Sequence, residues 1–244
     1  MHTGKVYVSS ALPFKDTEKN PSPVQLSLLS FYGRRNRIWL PVSAYFIEHP
    51  KGKILIDTGV LPKGESAVEQ LEKIGIMPRD IDFVILTHLH TDHASGLRQF
   101  KDAKKILVSA PELQDTEKYP IRYVKSMWDG INFETFDFEN TGVGSVGKSL
   151  DFFGDGTLEL INIPGHTSGL TAVKINGDKK FVLLFSDGGY AKKSYENLIP
   201  PGTALDDELA MKSLKWIRET ALDENCIEAL ANHDAEIFPH TIEI

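Results

Sequence analysis

The stretch FVILTHLHTDHASGL, residues 83–97, places metal-binding side chains directly after an apolar run. FVILT at 83–87 has the composition of a buried strand, and His88, His90, Asp92 and His93 follow it. Three of the eight histidines of the chain therefore fall within six residues. Such a segment is either a polar loop that happens to be rich in histidine or one part of a metal site.

The spacing within this stretch favours a metal site. In extended backbone, side chains two residues apart lie on the same side, so His88 and His90 share a side. Asp92 continues that side if the segment stays extended, and His93 follows as the chain turns. Imidazole and carboxylate groups are ligands that Zn²⁺ prefers. Because four such groups in six residues rarely converge on one ion, two ions that each take a pair are expected, with further ligands from elsewhere.

Three more candidate ligands come at the ends of other predicted strands. His166 lies in IPGHTSG (163–169), Asp187 in LLFSDGGY (183–190) and His233 in ALANHD (229–234). Loops at strand ends of a rigid scaffold often carry function. Taken singly, a histidine at a strand end is more often structural, and SDGG is more often a turn. Their occurrence together with HLHTDH is what indicates a second set of ligands.

This ordered set of residues resembles the metallo-β-lactamase superfamily of binuclear metallohydrolases. The resemblance extends from about residue 40 to residue 235, and the D-T-G at 57–59 after a predicted strand also matches it. It implies an α/β fold, a four-layer αβ/βα sandwich of two mixed sheets with helices on the outer faces. We expect a single hydrolase domain over residues 1–244.

The resemblance also implies roles for the candidate ligands. Two divalent metal ions are expected, with zinc the first choice and iron, manganese or cobalt compatible with the same ligands. Asp57 would orient a ligand imidazole, as metal-bound histidines generally require; the alternative is an ordinary turn residue. The implied ligands are His88, His90 and His166 for one ion, Asp92, His93 and His233 for the other, and Asp187 for both.

Within the superfamily, the chain is most similar to the N-acyl-homoserine lactonases. Tyr190 follows Asp187 by three residues, and WLPVSAY at 39–45 is also similar to that group. The implied reaction is quorum-quenching hydrolysis, in which a metal-bridging hydroxide opens the lactone ring. Tyr190 would stabilise the oxyanion, and Asp92 would pass a proton to the leaving group; a packing role is the alternative for Tyr190. Another small ester, thioester, lactone or β-lactam hydrolase of the superfamily is the alternative function.

Composition narrows the partners and the location. The net charge of −7 counts against nucleic acid as a substrate, and the one basic cluster, Arg34-Arg35-Asn36-Arg37, is interpreted as a solvated turn. Cys226 is the single cysteine, so no intrachain disulfide is possible. No long apolar window indicates a signal peptide or a membrane span. We therefore expect a cytoplasmic monomer or homodimer that acts on a small lactone or ester, with no membrane partner.

Hydrophobic patterns and turn signals predict the elements around these motifs. The hairpins argue against a purely parallel sheet. GVGSVG (142–147) fits a dinucleotide-binding pattern by letter, but a strand instead of a helix follows it, so we interpret it as a surface loop. The predicted elements are strands at 4–10, 24–31, 83–87, 106–110 and 226–232, hairpins at 42–59, 148–163 and 171–186, and helices at 65–75 and 206–222.

Residues 112–147 are the least regular part of the sequence. Pro111 before them suits the first turn of a short helix. The aromatic residues of this segment either line an acyl-chain pocket or form the core of a helical insert. They are Tyr119, Tyr123, Trp128, Phe133, Phe136 and Phe138.

Overall fold

The computed structural model describes residues 1–15, 37–60 and 64–244. The contacts between its residues divide the protein into two compact units. The first contains Met1–Val6, Pro41–Asp137 and Glu236–Ile242, and the second contains Tyr7–Leu40, Phe138–Ala235 and Glu243–Ile244. The predicted strand at 24–31 and the first three residues of the basic cluster lie outside the described residues. Strands β1 (His2–Ser9) and β2 (Arg37–Ser43) form a two-stranded sheet.

The first unit is built on a mixed five-stranded sheet with the strand order β3-β4-β5-β6-β7. The predicted hairpin at 42–59 is confirmed, because β3 and β4 pair antiparallel with Tyr45 opposite Ile56. At its tip, the backbone N–H of Lys51 donates to Nδ1 of His49, so His49 is a turn residue. The remaining neighbours pair parallel. The strands are β3 (Tyr45–His49), β4 (Gly52–Ile56), β5 (Phe83–Leu86), β6 (Lys105–Ser109) and β7 (Glu134–Phe136).

The helices of the first unit begin where the sequence predicts. Ser66 caps α1 (Ala67–Lys73): its hydroxyl accepts from the N–H of Glu69, whose carboxylate accepts from the N–H of Ser66. The predicted end is also confirmed, since Gly75 adopts φ 79° just after the helix. Pro111 lies in the first turn of α3 (Ala110–Lys118). The unit also contains α2 (Thr91–Ala94) and 3-10 helices Pro78–Asp80, Leu97–Phe100, Pro120–Arg122 and Lys125–Met127.

The aromatic residues after α3 contribute to the core of the first unit. Tyr123 and Trp128 are buried members of its hydrophobic cluster, and Tyr119 and Phe133 pack against that cluster. Phe136 is buried in β7. Of the two interpretations of this segment, the structure therefore favours the core of an insert. The segment contains most of α3, two short 3-10 helices and β7.

The second unit is built on a mixed six-stranded sheet with the order β13-β12-β11-β10-β9-β8. Both predicted hairpins are confirmed as antiparallel pairs, β9 with β10 and β11 with β12. Only β12 and β13 pair parallel, with Leu184 opposite Leu230. GVGSVG is the connection between β8 and β9, as predicted. The strands are β8 (Glu139–Asn140), β9 (Lys148–Asp151), β10 (Leu158–Asn162), β11 (Thr171–Asn176), β12 (Phe181–Leu184) and β13 (Cys226–Leu230).

Two helices complete the second unit, α4 (Lys192–Asn197) and α5 (Asp207–Ala221), with the 3-10 helix Ser186–Gly188 after β12. The carboxylate of Asp206 caps α5 by accepting from the N–H groups of Glu208 and Leu209. Leu214 and Ile217 of this helix are buried in the core of the unit. Among the helices that the structure describes, none is long and apolar enough to cross a membrane.

Candidate metal centre

The HLHTDH segment of the first unit is extended only as far as His90. His90 has β backbone angles and precedes α2, so Asp92 and His93 lie within that helix. Asp92 would share the side of His88 and His90 only in an extended segment, and this condition is not met, because the backbone becomes helical at Thr91. His88 and His93 are fully buried, whereas Asp92 is partly exposed.

The segment nevertheless brings its four candidate ligands together as two pairs. The rings of His88 and His90 lie 4.7 Å apart, centroid to centroid, and nearly perpendicular. Nε2 of His93 lies 4.0 Å from Oδ2 of Asp92. The rings of His88 and His93 are 4.0 Å apart. Within each pair the potential ligand atoms lie within 4.8 Å of each other, which is close enough for each pair to share one ion.

Asp57 orients this segment from the end of β4. Its buried carboxylate accepts from the N–H of Thr87 at 2.8 Å and from its hydroxyl at 2.9 Å, and it lies 2.8 Å from Nδ1 of His93. The hydroxyl of Thr87 is also 3.2 Å from Nδ1 of His88. Because a carboxylate favours the N–H tautomer at Nδ1 of His93, the lone pair of that ring lies on Nε2, the atom that faces Asp92.

Hydrogen bonds from the rest of the D-T-G turn also hold the HLHTDH segment in place. Both the N–H and the hydroxyl of Thr58 donate to the carbonyl of His93, at 2.9 and 2.8 Å. Gly96 packs so closely on this turn that a Cβ atom there would lie 2.3 Å from the carbonyl oxygen of Thr58. Sequence reasoning missed Thr58, Thr87 and Gly96. Thr58 lies in the D-T-G at 57–59, Thr87 precedes His88, and Gly96 ends the A-S-G that follows His93, but no local periodicity shows their contacts.

Each candidate ligand of the second unit follows a strand of its sheet. His166 follows β10, Asp187 lies in the 3-10 helix after β12, and His233 follows β13. The loop of His166 depends on Gly165, which has φ 138° and packs against α5. A Cβ atom at Gly165 would lie 2.3 Å from Cα of Ala210. Only glycine fits this conformation and this approach.

Asp187 lies between the two histidines of the second unit. Its Oδ2 is 3.4 Å from Nε2 of His166, and its Oδ1 is 3.2 Å from Nε2 of His233. All three side chains are at most 2% exposed. Two ligand atoms on one tetrahedral zinc ion lie about 3.4 Å apart, because each is about 2.1 Å from the metal. Both distances are therefore compatible with an Asp and a His that bind a common ion, and each carboxylate oxygen of Asp187 faces a different histidine.

Tyr190 packs on these same side chains. It is 3% exposed, and its ring stacks on that of His233 with centroids 5.0 Å apart. The edge of its ring faces His166 at 6.2 Å. Its backbone N–H donates to the hydroxyl of Ser194 in α4. The ring of Tyr190 thus packs on two candidate ligands. A packing role for Tyr190 is therefore compatible with a position beside the candidate metal ligands.

Comparisons with known proteins agree with this description. The family model of the metallo-beta-lactamase superfamily matches residues 37–224. The chain is 29% identical over 233 residues to an N-acyl homoserine lactonase of a Bacillus species, covering 83% of this chain and 87% of the relative. It is 25% identical over 228 residues to the lactonase AttM of Agrobacterium fabrum, covering 82% and 84%.

Solved structures of lactone hydrolases are also similar to this chain. The chain is similar to the crystal structure of a quorum-quenching N-acyl homoserine lactone hydrolase, with a TM-score of 0.74 and 25% identity. That similarity covers 97% of this chain and 91% of the other. The predicted resemblance to the superfamily and to its lactonase group is thus confirmed. The relatives and the buried His and Asp groups indicate a metal-dependent hydrolase. With a match over most of its length and mixed sheets flanked by helices, the chain belongs to the metallo-β-lactamase superfamily.

Proposed function

We propose that this protein is a quorum-quenching N-acyl homoserine lactonase, which hydrolyses the ester bond of the lactone ring. The observation that carries the proposal is the cluster of Asp187 with His166 and His233, on which Tyr190 stacks. The cluster places a buried phenol beside side chains that can hold a metal, and both a phenol hydroxyl and a metal ion can stabilise the oxyanion that forms in ester hydrolysis. The relatives named N-acyl homoserine lactonase, which cover more than four fifths of this chain, support the choice of substrate.

We propose that the candidate ligands of the chain would hold two divalent ions. Asp187 would be a ligand of both ions, and zinc is the proposed metal, with iron, manganese and cobalt compatible with the ligands. Support comes from the two pairs in HLHTDH and from the two oxygens of Asp187, each directed at its own histidine. The proposed sets are His88, His90 and His166 for the first ion and Asp92, His93 and His233 for the second.

Tyr190 and Asp92 would each have a separate role in the hydrolysis at the proposed metal centre. When bound, the two ions supply a hydroxide nucleophile near neutral pH and polarise the lactone carbonyl. The hydroxyl of Tyr190 donates a hydrogen bond to the oxyanion that develops. Asp92, which is partly exposed, exchanges protons with water and protonates the alkoxide that leaves when the ring opens. The product is an open-chain hydroxy acid, which releases one proton at neutral pH.

The product distinguishes a lactonase from other hydrolases. We expect mass spectrometry of N-hexanoyl and N-decanoyl homoserine lactone reactions to show the substrate mass plus one water, with the acyl amide intact. Asp187→Ala corrects for spontaneous ring opening. Free fatty acid with homoserine lactone would mean an amidase. Turnover of other esters, thioesters or β-lactams without these lactones would favour the alternative hydrolase.

A cytoplasmic location and a monomeric or homodimeric state belong to the same proposal.

A further inference from the structure

We propose that Glu112 and Tyr123 form a positioning pair, which holds His88 and His90 in the geometry that binds the first metal ion. This inference rests on the proposed function, because it assigns new residues to the same centre. Neither residue belongs to the proposed ligand set. Both lie in the first unit, within α3 and the segment that follows it.

Glu112 holds the backbone between the two histidines. Its side chain is fully buried, and Oε1 accepts from the N–H of Leu89 at 2.9 Å. Leu89 is the residue that separates His88 from His90 and is itself fully buried. A hydrogen bond to its N–H fixes the peptide plane between His88 and Leu89. In an extended segment, that orientation directs the histidine side chains on either side.

Tyr123 holds the same segment from the side of the His90 ring. Its ring lies 5.3 Å from that of His90, centroid to centroid, at an interplanar angle of 36°. Its hydroxyl donates to Oε1 of Glu112 at 3.1 Å. One carboxylate oxygen thus joins the backbone at Leu89 to the ring that packs on His90.

The pair complements Asp57 at the other end of the segment. Asp57 contacts His93 and, through Thr87, reaches His88. Glu112 and Tyr123 contact Leu89 and His90 instead. Burying a carboxylate costs free energy that an apolar side chain of similar size would not. Glu112 accepts one hydrogen bond from the histidine segment, at Leu89, and another from Tyr123, which packs on His90. We therefore infer that Glu112 serves that segment rather than general core packing.

The test measures metal affinity in the full-length protein without any lactone. The variants are Glu112→Gln, Glu112→Ala and Tyr123→Phe. Glu117→Gln is the matched control, because Glu117 lies on the same helix but is exposed and paired with Lys125. Each protein is loaded with Zn²⁺ for chelator competition and with Co²⁺ for absorption spectroscopy. The two readouts report how tightly each ion is held and how its ligands are arranged.

We expect Glu112→Ala and Tyr123→Phe to release one of the two ions at about 10- to 100-fold lower chelator concentration, the usual effect of losing such an orienting partner. The second ion should keep its affinity, and the Co²⁺ bands of one ion should change. Glu112→Gln should have a milder effect, since its amide oxygen still accepts from Leu89. Glu117→Gln should match the unsubstituted protein.

Two results would overturn the inference. One is unchanged affinity and spectra in folded Glu112→Ala and Tyr123→Phe. The other is loss of both ions together with a lower melting temperature of the metal-free protein, which means a purely structural role. If Glu112→Ala does not fold, Tyr123→Phe decides, because it removes only a hydroxyl. A protein that binds two ions but opens no lactone would contradict the proposed substrate and leave this test intact.

Discussion

Asp57 has an unusual backbone conformation, and its side chain contacts a candidate metal ligand. It has φ 58°, in the left-handed region that few residues other than glycine, asparagine and aspartate adopt. In this conformation its carboxylate meets Thr87 and His93, which lie 30 and 36 residues later in the chain. The sequence predicts an orienting role for this residue only through the family resemblance. The contacts themselves agree with that role.

Asp57→Asn tests the role without altering the backbone preference. Asparagine tolerates the left-handed region, but an amide cannot accept from both Thr87 and His93 as a carboxylate does. We expect metal affinity to fall by about 10- to 100-fold, measured by chelator competition. Asp82→Asn is the control, since Asp82 accepts from Lys53 and Lys104 outside the cluster. Equal affinity in the two variants would rule out the role of Asp57.

Tyr190 and the two proposed ligand aspartates should differ in their contributions to rate. Tyr190→Phe keeps the ring on His233 and removes one hydrogen-bond donor, so we expect a loss of at most about 10²- to 10³-fold in kcat/KM. Asp92→Ala and Asp187→Ala each remove a proposed ligand and should lose more. Lactone hydrolysis and metal content are measured together. Unchanged kcat and KM in Tyr190→Phe would show that its hydroxyl has no part in the reaction.

At the scale of elements, local patterns were sufficient for most of the fold. The helix at 65–75, the hairpin at 42–59 and the two hairpins of the second unit are predicted from residues close in sequence, and the structure confirms them. The contacts of Gly165 with Ala210 and of Glu112 with Leu89 were not predicted. They join residues 45 and 23 positions apart, and no periodicity marks such tertiary contacts.

Gly165→Ala tests how the His166 loop depends on its packing against α5. The new methyl group would overlap Cα of Ala210, and φ 138° is unfavourable for alanine. We expect the free energy of unfolding of the metal-free protein to fall by about 2–4 kcal/mol, measured with urea. Gly154→Ala is the control: it also has positive φ but nothing within 4 Å, so it should cost only about 1 kcal/mol. Equal losses of unfolding free energy in the two variants would show that the contact between Gly165 and Ala210 leaves room for a methyl group.

At the scale of the whole molecule, the proposed centre links metal binding to stability. Ions that bind only the folded chain stabilise it by mass action, by about 4 kcal/mol at a thousandfold excess over the dissociation constant. For a chain of this size, we expect chelation to lower the melting temperature by about 10 °C in calorimetry, and added zinc to restore it. Chelation that leaves the melting temperature unchanged would contradict a metal centre that only the folded chain can form.

The central claim is that a lactone ring is opened over a centre of two metal ions. The most direct measurement is the initial rate of acid release from N-hexanoyl homoserine lactone in weak buffer, as zinc is titrated into metal-stripped protein. We predict that the rate rises to a plateau at about two equivalents per chain, and that Asp187→Ala stays at the background rate. Absence of acid release at every zinc concentration, with short and long acyl chains alike, would contradict the account.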